Sequence, residues 1–85
     1  MKPVARVGDK VDCSKHGSGT ISSGGQSLVD GKPVARIGDK CSCGGTITQG
    51  SSQSMDNGKP IAYLGCAISC GGTITSGSPT AKVKP

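Results

Sequence analysis

The chain repeats itself three times, and any fold for it must place three short, similar units side by side. Lys2-Pro3-Val4-Ala5-Arg6-Val7-Gly8-Asp9 recurs as Lys32-Pro33-Val34-Ala35-Arg36-Ile37-Gly38-Asp39. It recurs again, altered, as Lys59-Pro60-Ile61-Ala62-Tyr63-Leu64-Gly65-Cys66, so the periods are 30 and 27 residues. A second block follows each first one: Gly19-Thr20-Ile21, Gly45-Thr46-Ile47 and Gly72-Thr73-Ile74. Repetition of this kind marks units that cannot bury an apolar face alone and do so by packing on one another. The repeats span approximately 2–31, 32–58 and 59–85. The expectation is one domain over residues 1–85, with no linker and no effector extension.

Each unit reads as β. In Pro-Val-Ala-Arg-Val-Gly the side chains alternate between two faces. Val7, Ile37 and Leu64 share one face with Ala5, Ala35 and Ala62; Val4, Val34 and Ile61 share the other with Arg6, Arg36 and Tyr63. Asp30-Gly31 and Asn57-Gly58 suit type I′ turns, whose two central residues need positive φ. Ser27-Leu28-Val29 is therefore expected to pair back onto Lys32 to Arg36, and Ser54-Met55 to do the same one repeat later. The prolines belong at strand starts or edges, where no ladder amide is missed.

Composition narrows the fold further. Gly, Ser, Thr and Pro make up 45% of the chain, while Leu, Ile, Val and Phe number only 14 and Tyr63 is the sole aromatic residue. Such a chain is poorly suited to a helical bundle, and it is too short and too poor in apolar residues to build a pocket-bearing enzyme. Domains of this size usually need a disulfide, a metal or an oligomer. The expected fold is all-β and compact: three hairpin-like repeats arranged with pseudo-threefold symmetry. Val7, Ile37 and Leu64 would meet around the axis with Ile21, Ile47 and Ile74. An open solenoid would need capping surfaces that this sequence does not supply.

The net charge is +5, from eight Lys, two Arg and five Asp. The lysines are spread singly and there is no aromatic row for bases to stack on, so nucleic acid is not an expected partner. No segment approaches the apolar length of a membrane span, and residues 1–6 lack the apolar run of a signal peptide. Synthesis in the cytoplasm follows as the expectation. Thiols stay reduced there, so clustered cysteines read as metal ligands before disulfides. Five cysteines would also leave one unpaired.

All five cysteines and the only histidine fall between the two blocks of a repeat: Cys13-Ser14-Lys15-His16-Gly17, Cys41-Ser42-Cys43-Gly44 and Cys66-Ala67-Ile68-Ser69-Cys70-Gly71. Three loops around one axis would bring these donors to one end. Thiolate and imidazole suit a tetrahedral Zn²⁺ rather than the oxygen-seeking Ca²⁺ or Mg²⁺. Cys43 and Cys70 both stand two residues before their Gly-Thr-Ile, with His16 as the nearest equivalent. Cys13 and His16 form a Cys-x-x-His pair. The predicted ligands of one structural Zn²⁺ are Cys13, His16, Cys43 and Cys70. Cys41 and Cys66 are alternatives for the fourth place. The competing readings are buried small hydrophobes or disulfides. Cys13 and His16 have no oxyanion-hole motif beside them, and no glycine run continues as a P-loop. Asp9, Asp12 and Asp39 could form a carboxylate set, but Gly-Asp at a strand end reads as a turn instead.

Pro3-Val4-Ala5-Arg6 and Pro33-Val34-Ala35-Arg36, each leading into Gly-Asp, resemble the Pro-Ala-Ala-Arg motif of the PAAR-repeat proteins. The Cys13-x-x-His16-Gly17 loop and the Gly-Thr-Ile blocks are similar to that family as well, and the likeness covers the whole chain. The resemblance implies a cone with a zinc ion near its apex. It also implies a partner: the blunt end of the homotrimeric β-helical spike (VgrG) of the type VI secretion system, or the related spike of contractile phage tails. The cone would be non-enzymatic, sharpening the spike for membrane puncture and effector delivery, with effector cargo as a further partner. It would leave the cytoplasm by secretion or injection and touch the membrane only transiently. Two features depart from the pattern: the third repeat has Tyr63 for Arg and Cys66 for Asp, and the metal loops are cysteine-rich where the family's are histidine-rich. A near-threefold surface also matches a C3 trimer at one copy per trimer. The face carrying Val4, Val34 and Ile61 is the expected dock, opposite the metal loops. The alternative function is a free-standing zinc-binding interaction module.

Overall fold

Asp-Gly between two extended dipeptides forms the tightest element of this structure. Asp30 and Gly31 take φ of 55° and 78°, and strand β4 (Leu28–Val29) folds back onto β5 (Lys32–Pro33) with Val29 opposite Lys32 and Leu28 opposite Pro33. The same ribbon recurs one repeat later, where β6 (Met55–Asp56) pairs β7 (Lys59–Pro60) in the same register. A third ribbon has no turn at all. It is made by the two ends of the chain, β1 (Lys2–Pro3) against β9 (Lys82–Val83). The computed structural model describes residues 2–13, 17–42, 44–56 and 58–84, and those residues form strands, bridges and turns with no helix.

Each ribbon leads into the first repeated block. Pro33, Pro60 and Pro3 offer carbonyls to the amides of Val7, Ile37 and Leu64 at 2.8–3.0 Å. The missing proline N–H is thus not needed by the ladder. Next come the alanines. Ala35 N–H donates to Ala5 O, Ala62 N–H to Ala35 O, and Ala5 N–H to Ala62 O, at 2.9, 2.9 and 3.0 Å. The three bonds close a ring that links all three repeats. Only a small side chain lets three backbones approach so closely, and all three alanines are fully buried.

This ring changes the expected core. Ile21, Ile47 and Ile74 are buried as predicted, at 1% exposure each. Val7, Ile37 and Leu64 do not meet at the centre and are only half-buried. The centre is occupied by alanines, and Val4, Val34 and Tyr63 pack around them. The extents, 29 × 23 × 21 Å, exclude an open solenoid.

After the ring each block makes a four-residue turn. Asp9 N–H bonds to Arg6 O, Asp39 N–H to Arg36 O and Cys66 N–H to Tyr63 O, all at 3.0 Å. Gly8, Gly38 and Gly65 sit at the third position with φ of 93°, 93° and 94°. That is the type II turn, and its positive φ is why glycine stands there. The chain then runs out through β2 (Lys10–Cys13) and back through β3 (Gly17–Thr20) in the first repeat. In the other two it turns more tightly: Gly44 N–H bonds to Cys41 O, and Gly71 N–H to Ile68 O. The returning Gly-Thr-Ile segments pair with the next repeat in cyclic order. Ile21 bridges Cys41, Ile47 bridges Ile68, and Ile74 in β8 (Thr73–Ile74) pairs Val11.

Candidate metal centre

The cyclic pairing sets the register of the cysteines. Val11, Cys41 and Ile68 occupy one place, each facing an isoleucine across the bridge. Two residues on, Cys13 and Cys70 therefore occupy a second shared place, five residues after Gly8 and Gly65, and Cys43 stands at the same count from Gly38. Cys13, and not His16, is thus the counterpart of Cys70. His16 belongs to the four extra residues of the first loop. Counting forward from Gly-Asp would have shown this; counting back from Gly-Thr-Ile, across loops of unequal length, does not.

The structure brings Cys13 and Cys70 together. Their Cα atoms are 6.0 Å apart and their sulfurs are joined as a disulfide that links residues 57 positions apart. A disulfide and a pair of thiolate ligands are alternative states of the same two sulfurs, because a metal takes only the deprotonated thiol. The surroundings are cut to admit them. A Cβ on Gly45 would meet Cys70 Sγ at 3.0 Å and crowd Ile68, and one on Gly72 would overlap the Asp12 carbonyl and Cys13 Cα. His16 and Cys43, the other two predicted ligands, lie outside the described residues, and among the described residues no group of three metal-binding side chains gathers. The soft donors that are described fit a zinc-type ion, being two adjacent sulfurs with no carboxylate between them.

The two alternative ligands have structural roles. Cys41 is 4% exposed and packs in the core at the place of Val11 and Ile68. Cys66 is fully buried, and its Sγ accepts the Tyr63 N–H at 3.3 Å. In the first two repeats an aspartate does that job: Asp9 Oδ2 accepts Arg6 N–H at 2.8 Å, and Asp39 Oδ2 accepts Arg36 N–H at 2.7 Å. Burial pushes the Cys66 thiol above its ordinary range, which favours a neutral packing role.

The charged turns are tied outward to the ribbons. Arg6 donates from Nε and Nη2 to Asp9 at 3.0 and 2.8 Å, and from Nη1 to Asp30 at 3.0 Å. Arg36 reaches Asp39 at 3.4 Å and Asp56 at 3.5 Å. Burial raises the Asp9 carboxyl, but the hydrogen bonds and charge of Arg6 outweigh it and hold the group below its usual range. Bonds from Ser78 and Thr80 hold Asp30 low, and a bond from Ser27 does so for Asp56.

The predicted docking face needs correction. Val4 and Val34 are 3% and 1% exposed and Ile61 is half-buried. They are packed around the alanine ring, because bridges from Val4 to Tyr63, Arg6 to Val34 and Arg36 to Ile61 lay each block over the next. They present no aliphatic face to a partner. Among the described residues the large hydrophobic side chains left outside are Leu28 and Met55, at 65% and 59%.

The PAAR motif family matches the chain over residues 1–49, which holds both Pro-Val-Ala-Arg-x-Gly-Asp blocks, the extended first loop and the second Gly-Thr-Ile. The chain belongs to the PAAR family. The two aspartate-capped turns of this PAAR chain thus lie inside the matched stretch, and the Tyr63–Cys66 turn lies beyond it. No curated protein is significantly similar to the chain in sequence.

Proposed function

We propose that this chain is the tip of a contractile injection spike. It is a pseudo-threefold, non-enzymatic cone that caps the end of a homotrimeric β-helical spike, VgrG-like or phage-like, at one copy per trimer. One structural Zn²⁺ closes the cone through Cys13, His16, Cys43 and Cys70. The protein is made in the cytoplasm and leaves with the spike, carrying cargo and touching the target membrane only during puncture. The observation that carries this reading is the ring of alanine bonds, with the Gly8, Gly38 and Gly65 turns and the three ribbons repeated around it. A single chain built in this way offers nearly the same surface three times, as the end of a C3 trimer requires. Membership of the PAAR family supports the same role.

The test is the mass of the complex. The purified chain is mixed with the trimeric spike of the same source and measured by light scattering after size-exclusion chromatography. One chain per trimer is expected; three per trimer, or no complex, would overturn the reading. Val34→Asp is a poor probe, because at 1% exposure the carboxylate would be buried in the core.

A further inference from the structure

Large aliphatic side chains are scarce in this protein, and most are wholly or partly inside. Leu28 and Met55 stand out, and they stand at one place in two successive ribbons, opposite Pro33 and Pro60. In the third ribbon Lys82 holds that place, opposite Pro3. Lys32 and Lys59 sit one step nearer each hairpin turn, and both are exposed. The ribbon acids are already engaged from within: Asp30 by Arg6, Asp56 by Arg36. The ribbons therefore present aliphatic knobs among cations, with no uncommitted carboxylate among the described residues of the ribbons.

We infer that the ribbons are a docking surface for a protein whose matching surface is acidic, with Leu28 and Met55 seated in apolar depressions and Lys32, Lys59 and Lys82 meeting carboxylates around them. The inference rests on the spike-tip reading and names the chemistry of the spike end that it requires. Apolar anchors inside a charged rim are the ordinary anatomy of a protein interface. A nucleic-acid surface would use the lysines but leave the two anchors idle, and no aromatic residue accompanies them for stacking. Charge complementarity thus selects an acidic protein.

The experiment compares wild type, Leu28→Ser/Met55→Ser and Lys32→Glu/Lys59→Glu for binding to the purified trimeric spike, at low and at physiological salt. All four side chains are exposed, so the melting curves should coincide. The aliphatic pair should weaken binding about a hundredfold, roughly tenfold for each anchor lost. The charge-reversed pair should associate more slowly. Wild-type affinity should fall as salt rises, while that of the charge variant should be nearly flat. If wild type binds and both variants bind equally well, the ribbons are not the dock, and the spike-tip reading stands. If wild type does not bind the spike, that reading fails and the inference falls with it. If the variants keep the spike but lose binding to phosphatidylglycerol vesicles, the surface is a lipid surface and the inference is overturned.

Discussion

The first two repeats and the third make the same turn with opposite chemistry. Arg6–Asp9 and Arg36–Asp39 are charged pairs reaching out to Asp30 and Asp56. Tyr63–Cys66 is neutral and holds the same backbone bond at the same 3.0 Å. The ribbon beside each pair accounts for the difference. Asp30 lies in a hairpin turn and Asp56 at the end of β6, but the third ribbon is made by the chain ends, has no turn, and carries Val83 at the place of Asp56. An arginine at position 63 would be buried without its second acid, which costs several kcal/mol. Tyrosine fills the space instead, with its hydroxyl near Gln49 Nε2 at 3.5 Å. The turn thus needs an acceptor for one N–H; the charge is an addition that depends on the neighbouring ribbon.

Substitutions can break this contrast. Asp9→Ala should cost most, about 3–5 kcal/mol by urea unfolding, because a buried arginine and an N–H lose their partner together. Tyr63→Arg should cost about 2–4 kcal/mol by the same logic, and adding Cys66→Asp should recover part of it through a new pair. A double variant no better than Tyr63→Arg would show that the third site rejects charge altogether. Asp39→Ala should cost about 1–3 kcal/mol, less than Asp9→Ala, since the Arg36 contacts are longer, at 3.4 and 3.5 Å. Cys66→Ala should cost about 1 kcal/mol, the loss of one weak N–H···S bond. Equal losses for Asp9→Ala and Cys66→Ala would erase the distinction.

The smallest effect is expected across neutral pH. The Asp9, Asp30 and Asp56 carboxyls are held below the ordinary aspartate value of 3.8, so their stabilisation is present above about pH 4 and lost as pH falls through their folded values. The Cys66 thiol lies above 9.0, so its contribution is full below about pH 9 and lost as pH rises through its folded value. In the metal-free protein these groups should leave the melting temperature flat between these limits. Cys66→Ala should move the alkaline arm upward and leave the acid arm in place.

Much of this was legible in the sequence, for physical reasons that can be named. The Asp-Gly and Asn-Gly ribbons, the Gly-Asp turns and the isoleucine core are each set by a few neighbouring residues. The alanine ring was not legible, because a period-2 pattern gives equal weight to small and large apolar residues on one face. The strand paired from the two chain ends joins residues 79 and 81 apart, and Lys82-Val83 carries no local sign of it. Cys66 was read with the ligand loops because its role depends on a repeat in which the usual aspartate is replaced. Docking at Val4 and Val34 was misplaced because alternation separates two faces without saying which is covered by the next repeat.

The central claim is that three repeats close on one zinc ion held by Cys13, His16, Cys43 and Cys70, with Cys13 and Cys70 as thiolates. Native mass spectrometry of the untagged protein, purified under reducing conditions without chelator, tests it directly. The expected mass is that of one chain plus one zinc, and after removal of the metal in acid the chain should weigh its fully reduced value. A metal-free chain two hydrogens lighter than the reduced mass, the signature of a Cys13–Cys70 disulfide, would contradict it.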